Sequence, residues 1–168
     1  MKTIRHAEHH IVPPLIDGKC RILILGSMLS PKSAERKFYY AHPQNRFWRV
    51  LAALFDCDYP ADSDGRAELA LSHGVALWDV IKSCDIVGAS DSTIKNVVYN
   101  DIDRLLADHP NITEIFTTGG TAYKLLMKYN KTICNPIISA AVPLPSTSPQ
   151  NCKTSLDDLI AAYSTIIK

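Results

Sequence analysis

The densest set of side chains able to do chemistry lies in Arg21–Val50, where RILILGSMLSPKSAERKFYYAHPQNRFWRV runs from an apolar stretch into a polar loop. Tyr39 and Tyr40 offer aromatic faces, His42 a ring that donates or accepts, and Asn45 an amide carrying both a donor and an acceptor. Taken alone, Asn45 reads as a helix cap, Tyr40 as a core aromatic, and His42 as either a hydrogen-bonding group or a brace for the Pro43 turn. Arg46 and Arg49 follow at helical spacing and are expected to face solvent, where a guanidinium can meet a phosphate. Outside this stretch the main acidic candidate is Asp79, near the end of a second apolar run. It either caps the next turn or sets a negative charge opposite a developing positive one. Two carboxylates at a known separation cannot be read from the sequence, so it gives no ground for a two-carboxylate sugar-hydrolase mechanism.

Other chemistries find little support. HAEHH near the amino end has neither the HExxH spacing nor a full ligand set for zinc. The five cysteines, Cys20, Cys57, Cys84, Cys134 and Cys152, are odd in number, unevenly spaced and without a CxxC pair. They read as small buried hydrophobes rather than a disulfide framework or a metal site. Gly119–Gly120 allows close backbone approach, but neither GxGxxG nor a Walker sequence is present. The formal charge is only +1. Distribution says more: residues 31–50 carry five basic residues against Glu35 alone, a local +4, and residues 56–68 carry five acidic residues against Arg66, a local −4. Such polarity permits an anionic partner on one face, although two ordinary solvated surfaces would read the same way.

Elements able to position these groups follow from hydrophobic pattern. Arg21–Leu25, Val75–Val80 and Ile112–Thr118 are near-continuous apolar runs, as expected of parallel strands covered on both faces. A fourth strand is expected within Ile133–Val142, centred on Ile137–Ala141. Helical spacing marks the segment from Asn45 through Leu54, Ile102–Ala107, the run from Ala122 to Tyr129, and a last helix capped at Thr154 or Ser155. A short helix is expected at Glu68–His73. The first twenty residues read as an irregular arm, and the segment from Ser83 to Asn96 as a polar, turn-rich rim. Alternation of strand and helix predicts one α/β domain over residues 1–168, a three-layer α/β/α sandwich with a central, mainly parallel four-stranded sheet. At 168 residues and 46% hydrophobic content the core is large enough for that.

Four ordered motifs then resemble one family. GSMLS at Gly26, FYYAHPQNRFW at Phe38, GVALWDVIKSCDIVGASDSTIKN at Gly74 and LPSTSPQN at Leu144 together resemble the uracil-DNA glycosylase superfamily, and within it the hypoxanthine-DNA glycosylase branch. The resemblance implies a monofunctional N-glycosylase that releases a deaminated base (hypoxanthine first, with uracil and xanthine as further substrates) and leaves an abasic site. Such an enzyme must extract the nucleotide from the stack and support charge as the glycosidic bond breaks.

The same resemblance implies roles. The family's first motif commonly has Asp or Asn where this chain has Met28, whose thioether supplies neither function. Asn45 is then the important amide, orienting water through its carbonyl or donating to the base through its N–H groups. Asp79 joins it as the second catalytic candidate. Tyr40 looks like the base-stacking platform, with Ser27, Met28, Tyr39, His42, Gly119 and Gly120 around the substrate. In the second motif Ser146, Thr147 and Ser148 are expected on phosphates beside Arg46 and Arg49, with Leu144 filling space near the extruded nucleotide. Neither metal nor redox cofactor is called for, and no lysine has a context for Schiff-base chemistry.

Expected partners are double-stranded DNA containing a deaminated base and also single-stranded DNA, with the protein a monomer. No apolar run is long enough to cross a bilayer, and the opening residues lack a secretory apolar core, which points to the cytoplasm, with chromosomal DNA if prokaryotic. Two alternatives stay open: hydrolysis of a free nucleoside or other small N-glycoside, and lesion binding without turnover.

Overall fold

The structure, a computed structural model, describes residues 3–8 and 12–168. A four-stranded parallel sheet in the order β3-β2-β6-β7 organises it, built from β2 (Ile22–Gly26), β3 (Val75–Asp79), β6 (Glu114–Thr118) and β7 (Val142–Leu144). Every residue of β2 is buried, because this central strand has a neighbour on each side and helices on each face. One face packs on α2 (Phe47–Leu54), α3 (Ser63–Ser72) and α7 (Leu156–Tyr163) around Trp48, Leu77 and Tyr163. The other packs on α4 (Ile102–Asp108), α5 (Gly120–Ile133) and α6 (Pro136–Ser139) around Leu23, Leu126 and Ile138. These are the three expected layers. Burying each large apolar side chain contributes about 1.5–3 kcal/mol, so alternate residues of β2 anchor both layers at once.

Three expectations need correction. The fourth strand is not centred on Ile137–Ala141. Asn135 accepts hydrogen bonds from the Ile137 and Ile138 N–H groups, with Pro136 at the first helical position, so this segment starts the short helix α6. The strand β7 comes after it, and Pro143 fits there because β7 is the sheet edge. The second concerns residues 4–8, which are not irregular. They form β1 (Ile4–Glu8), which pairs antiparallel with β4 (Ile81–Val87), and β4 pairs with β5 (Lys95–Tyr99). Much of the supposed turn-rich rim is therefore a second, three-stranded sheet. His9 and His10 lie outside the described residues; His6 bonds Asp85 across β1 and β4 at 2.9 Å. Finally, part of the polar loop expected after the first apolar stretch is a helix: α1 (Pro31–Arg36), with the Ser30 hydroxyl accepting from the Ser33 N–H.

The cysteines are all free. Cys20 and Cys84 are buried as expected, whereas Cys57, Cys134 and Cys152 are exposed. The last two sit at helix and loop ends where the chain turns back toward solvent.

The two sheets meet at the end of β3. There the Val80 and Ile81 N–H groups donate to the Gly26 and Ser27 carbonyls, and the chain passes from one sheet to the other. The Asn100 amide donates to the carbonyls of Asp79 and Ile81, at 2.8 and 3.2 Å, and clamps the crossing. This junction places Asp79 at the carboxyl end of the parallel sheet, beneath the loops that follow β2 and β7.

Candidate active site

A cavity of about 530 Å³ opens at that sheet end, within the range of small-molecule sites. Its floor is set by one close approach. A Cβ on Gly26 would lie 2.6 Å from an Asp79 carboxylate oxygen, 3.4 Å from the Tyr40 hydroxyl and 3.7 Å from the Thr118 hydroxyl. Glycine is required here because the side chains of β3 and β6 close over its Cα, and Asp79 is only 5% exposed. The Tyr40 and Thr118 hydroxyls are hydrogen-bonded at 3.1 Å. Burial, with the Asp79 charge nearby, raises the Tyr40 phenol far above its ordinary pKa and keeps it protonated.

Adjacent tyrosines part company at this point. Tyr40 has φ 51°, a left-handed conformation that costs a non-glycine residue energy and turns its ring away from that of Tyr39. The Tyr40 ring stacks on Phe47, with centroids 4.0 Å apart and planes at 18°, and it lines the cavity. Tyr39 is buried, donating its hydroxyl to the Pro13 carbonyl at 2.9 Å while its own carbonyl accepts the Trp48 indole N–H. It also lines the cavity, so besides its expected place beside the substrate it braces the amino-terminal segment against α2.

Asn45 is held with its polarity defined. Its Oδ1 accepts from the Phe47 N–H and from the Thr147 hydroxyl, both at 2.9 Å. A backbone N–H can only donate, so the oxygen must face it and the amide nitrogen must face the other way. Among the described residues that nitrogen has no partner. Asn45 is thus both the helix cap that its position indicated and a cavity wall. Of the two functions open to it, only donation is left. His42 behaves similarly: its Nδ1 accepts from the Gln44 N–H at 3.1 Å, which braces the turn and leaves Nε2 as the free side of the ring.

The second-motif loop forms the opposite wall through Ser146, Thr147 and Ser148. The Ser146 and Ser148 oxygens accept from the N–H groups of Ser148 and Gln150, at 3.2 Å each, which leaves both O–H groups able to donate. Thr147 is 1% exposed and its hydroxyl is committed to Asn45, so the expected phosphate contact becomes a support for the amide. Leu144 is buried in β7 and packs in the core, which corrects its expected place beside an extruded nucleotide. Arg46 does not face solvent. Its guanidinium donates to the carbonyls of Ser148, Asn151 and Thr154, locking the loop onto α2 in place of a phosphate. Arg49 is exposed, 5.9 Å from the centroid of the Tyr59 ring, and is not among the cavity residues.

Gly119 and Gly120 also stand outside the cavity lining. Gly119, at φ 90°, donates its N–H to the Leu144 carbonyl and lets Ser146 pack where a Cβ would sit at 3.3 Å. Thr118, one residue earlier, is the cavity residue, a shift that apolar patterning does not show. Ser27 and Met28 line the site as expected, Met28 with its sulfur accepting from the Cys84 thiol at 3.6 Å. Two further residues escaped sequence reasoning: Asp91, whose carboxylate accepts the Ser27 hydroxyl at 3.1 Å, and Arg5 on β1. Both enter on the second sheet.

Fold and cavity together define an α/β protein with an aromatic and polar cavity at the carboxyl end of its parallel sheet. A family model described as the uracil DNA glycosylase superfamily matches residues 13–165. A protein from Methanosarcina barkeri named hypoxanthine DNA glycosylase is 34% identical over 108 residues, 64% of this chain and 68% of its own length. Another with that name, from Methanosarcina acetivorans, is 32% identical over 111 residues, 66% of this chain and 70% of its own. The NMR solution structure of a Methanosarcina acetivorans protein described as a uracil DNA glycosylase superposes with a TM-score of 0.76 at 25% identity, over 94% of this chain and 97% of that one. The chain belongs to the uracil DNA glycosylase superfamily, and it is a DNA glycosylase acting on deaminated bases. Among the described residues no helix is long and apolar enough to cross a membrane.

Proposed function

We propose that this chain is a monofunctional glycosylase that releases hypoxanthine from deoxyinosine in duplex DNA, with uracil and xanthine as lesser bases and single-stranded DNA as a further substrate. The observation that carries the reading is the fixed polarity of Asn45. As the C1′–N9 bond breaks, its electron pair passes to the departing purine, and a preorganised N–H donor stabilises that charge far better in a cavity than in water. Oδ1 is anchored by Phe47 and Thr147, so the amide is oriented before substrate arrives.

Around it, Tyr40 would stack on the flipped base, a contact of about 1–3 kcal/mol that tolerates different bases. Asp79 would face the positive charge that develops on the sugar. The Ser146 and Ser148 hydroxyls would hold the backbone beside the lesion. The acting unit would be a monomer.

Single-turnover base release, read by mass, tests this on duplexes and single strands containing hypoxanthine, uracil, xanthine or normal bases. Hypoxanthine should be released fastest, with strand breaks only after alkali or heat. Asn45→Asp keeps the acceptor for Phe47 and Thr147 but removes the donor, so it should fold normally and lose on the order of 10²–10³ in rate. An Asn45→Asp enzyme with unchanged rate would remove the donor role. Release from free deoxyinosine as fast as from duplex would identify a nucleoside hydrolase instead, and binding without any release a recognition module.

A further inference from the structure

The first motif has no carboxylate to activate water. Met28 lines the cavity beside Ser27, and its thioether, held beside Cys84, cannot accept a proton. The neighbouring Ser27 reaches the other way, donating its hydroxyl to Asp91 Oδ2 at 3.1 Å. Asp91 opens a 3₁₀ turn, Asp91–Thr93, between β4 and β5 of the second sheet. The turn is built: the Thr93 hydroxyl donates to the Ser90 carbonyl at 2.7 Å and accepts from the Val87 N–H at 2.9 Å.

We infer that Asp91 supplies the missing carboxylate, accepting a proton from the water that attacks C1′. This rests on the glycosylase reading above. Asp91 lines the same cavity as Asn45, Tyr40 and Asp79. Among the described residues only Oδ2 has a side-chain partner, which leaves Oδ1 for water. Access distinguishes the two acids. Asp79 is enclosed by Gly26, Tyr40 and Thr118 on the floor, whereas Asp91 is exposed at the mouth, where water enters.

The step balances as a hydrolysis. The water oxygen bonds to C1′ while the C1′–N9 pair leaves with the base, and one water proton moves to Asp91. The base, its charge met by the Asn45 amide, then takes up a proton from solvent as Asp91 returns one.

The surroundings suit a group that exchanges protons. Partial withdrawal from water raises the Asp91 pKa, the Ser27 hydrogen bond opposes this, and the Asp79 charge adds to it. Arg5 on β1, Lys32 on α1, and Tyr39, Tyr40 and His42 on the loop after α1 complete the titratable and charged groups around the cavity. A proton acceptor works only when ionised, so the reaction rate should rise with pH through the raised Asp91 pKa and then level off.

The test uses the full chain and an inosine-containing duplex under single-turnover conditions, with lesion binding measured separately. Asp91→Asn keeps the shape and the Ser27 contact, and should cut the rate about 10²–10⁴-fold, with affinity unchanged and the acid limb abolished. Asp91→Ala should recover part of its loss on addition of formate, a small carboxylate that can occupy the vacated space. An Asp91→Asn enzyme that releases base at the wild-type rate overturns the inference. So does a loss confined to affinity, or an Asp91→Ala enzyme that folds but is not rescued. The wild-type control keeps the two readings apart, since absence of release there would sink the glycosylase proposal itself.

Discussion

The two sheets make different contributions to one cavity. The parallel sheet is dry in its first two strands: β2 is buried at every residue, and β3 at all but Trp78. The second sheet is half wet, with only Ala7 buried in β1 and no residue fully buried in β5. A group mounted on the first, such as Asp79, is fixed by packing that resists small displacements. A group delivered by the second, such as Asp91 or Arg5, rests on fewer buried contacts and stays open to solvent. The floor therefore holds geometry, and the mouth admits water and DNA.

Substitutions can break or sharpen that contrast. Of three substitutions that leave Asn45 and Asp91 in place, the one at the floor should have the largest effect. Gly26→Ala puts a methyl group 2.6 Å from the Asp79 carboxylate oxygen, which must move. A displacement near 1 Å costs on the order of 10²-fold in rate. Single-turnover kinetics should show this loss, and an unaffected rate would mean that Asp79 need not sit where it does. Next comes the loop lock. Arg46→Ala strands three carbonyls that now accept from one guanidinium, and should lower stability by about 2–4 kcal/mol in denaturant unfolding. If Arg46 were instead a phosphate contact, stability would hold and the salt dependence of DNA binding would weaken. The smallest effect is expected at an exposed position of the second sheet away from the cavity. Val98 is 51% exposed on the edge strand β5, and Val98→Thr should change stability by no more than about 0.5 kcal/mol and leave base release unchanged. A large loss would show that this sheet is as tightly coupled to the site as the other.

The same contrast explains what could be read early. β2, β3 and β6 were legible because double-sided burial demands uninterrupted apolar runs, and α5 and α7 because their apolar stripes recur at helical spacing. A cap on α7 was legible for the same local reason, and the structure chose Ser155 over Thr154, reciprocally bonded with Asp158. β1, β4 and β5 were not, since exposed strands carry mixed residues that resemble loop. β7 was misplaced because isoleucines suit a buried strand or a helix equally, and the Asn135–Pro136 cap decided for the helix.

Sequence by itself determined the α/β layering, the order of the motifs and the capping position of Asn45, all of which depend on neighbours a few residues apart. Tertiary structure added the second hold on that amide, a Thr147 hydroxyl 102 positions away. It also turned Arg46 inward to a loop just as distant, and brought Asp91 to Ser27 across 64 positions. Hydrogen bonds between remote segments leave no periodic trace along a chain, because each partner is chosen by where the sheets bring it and not by its own surroundings in sequence.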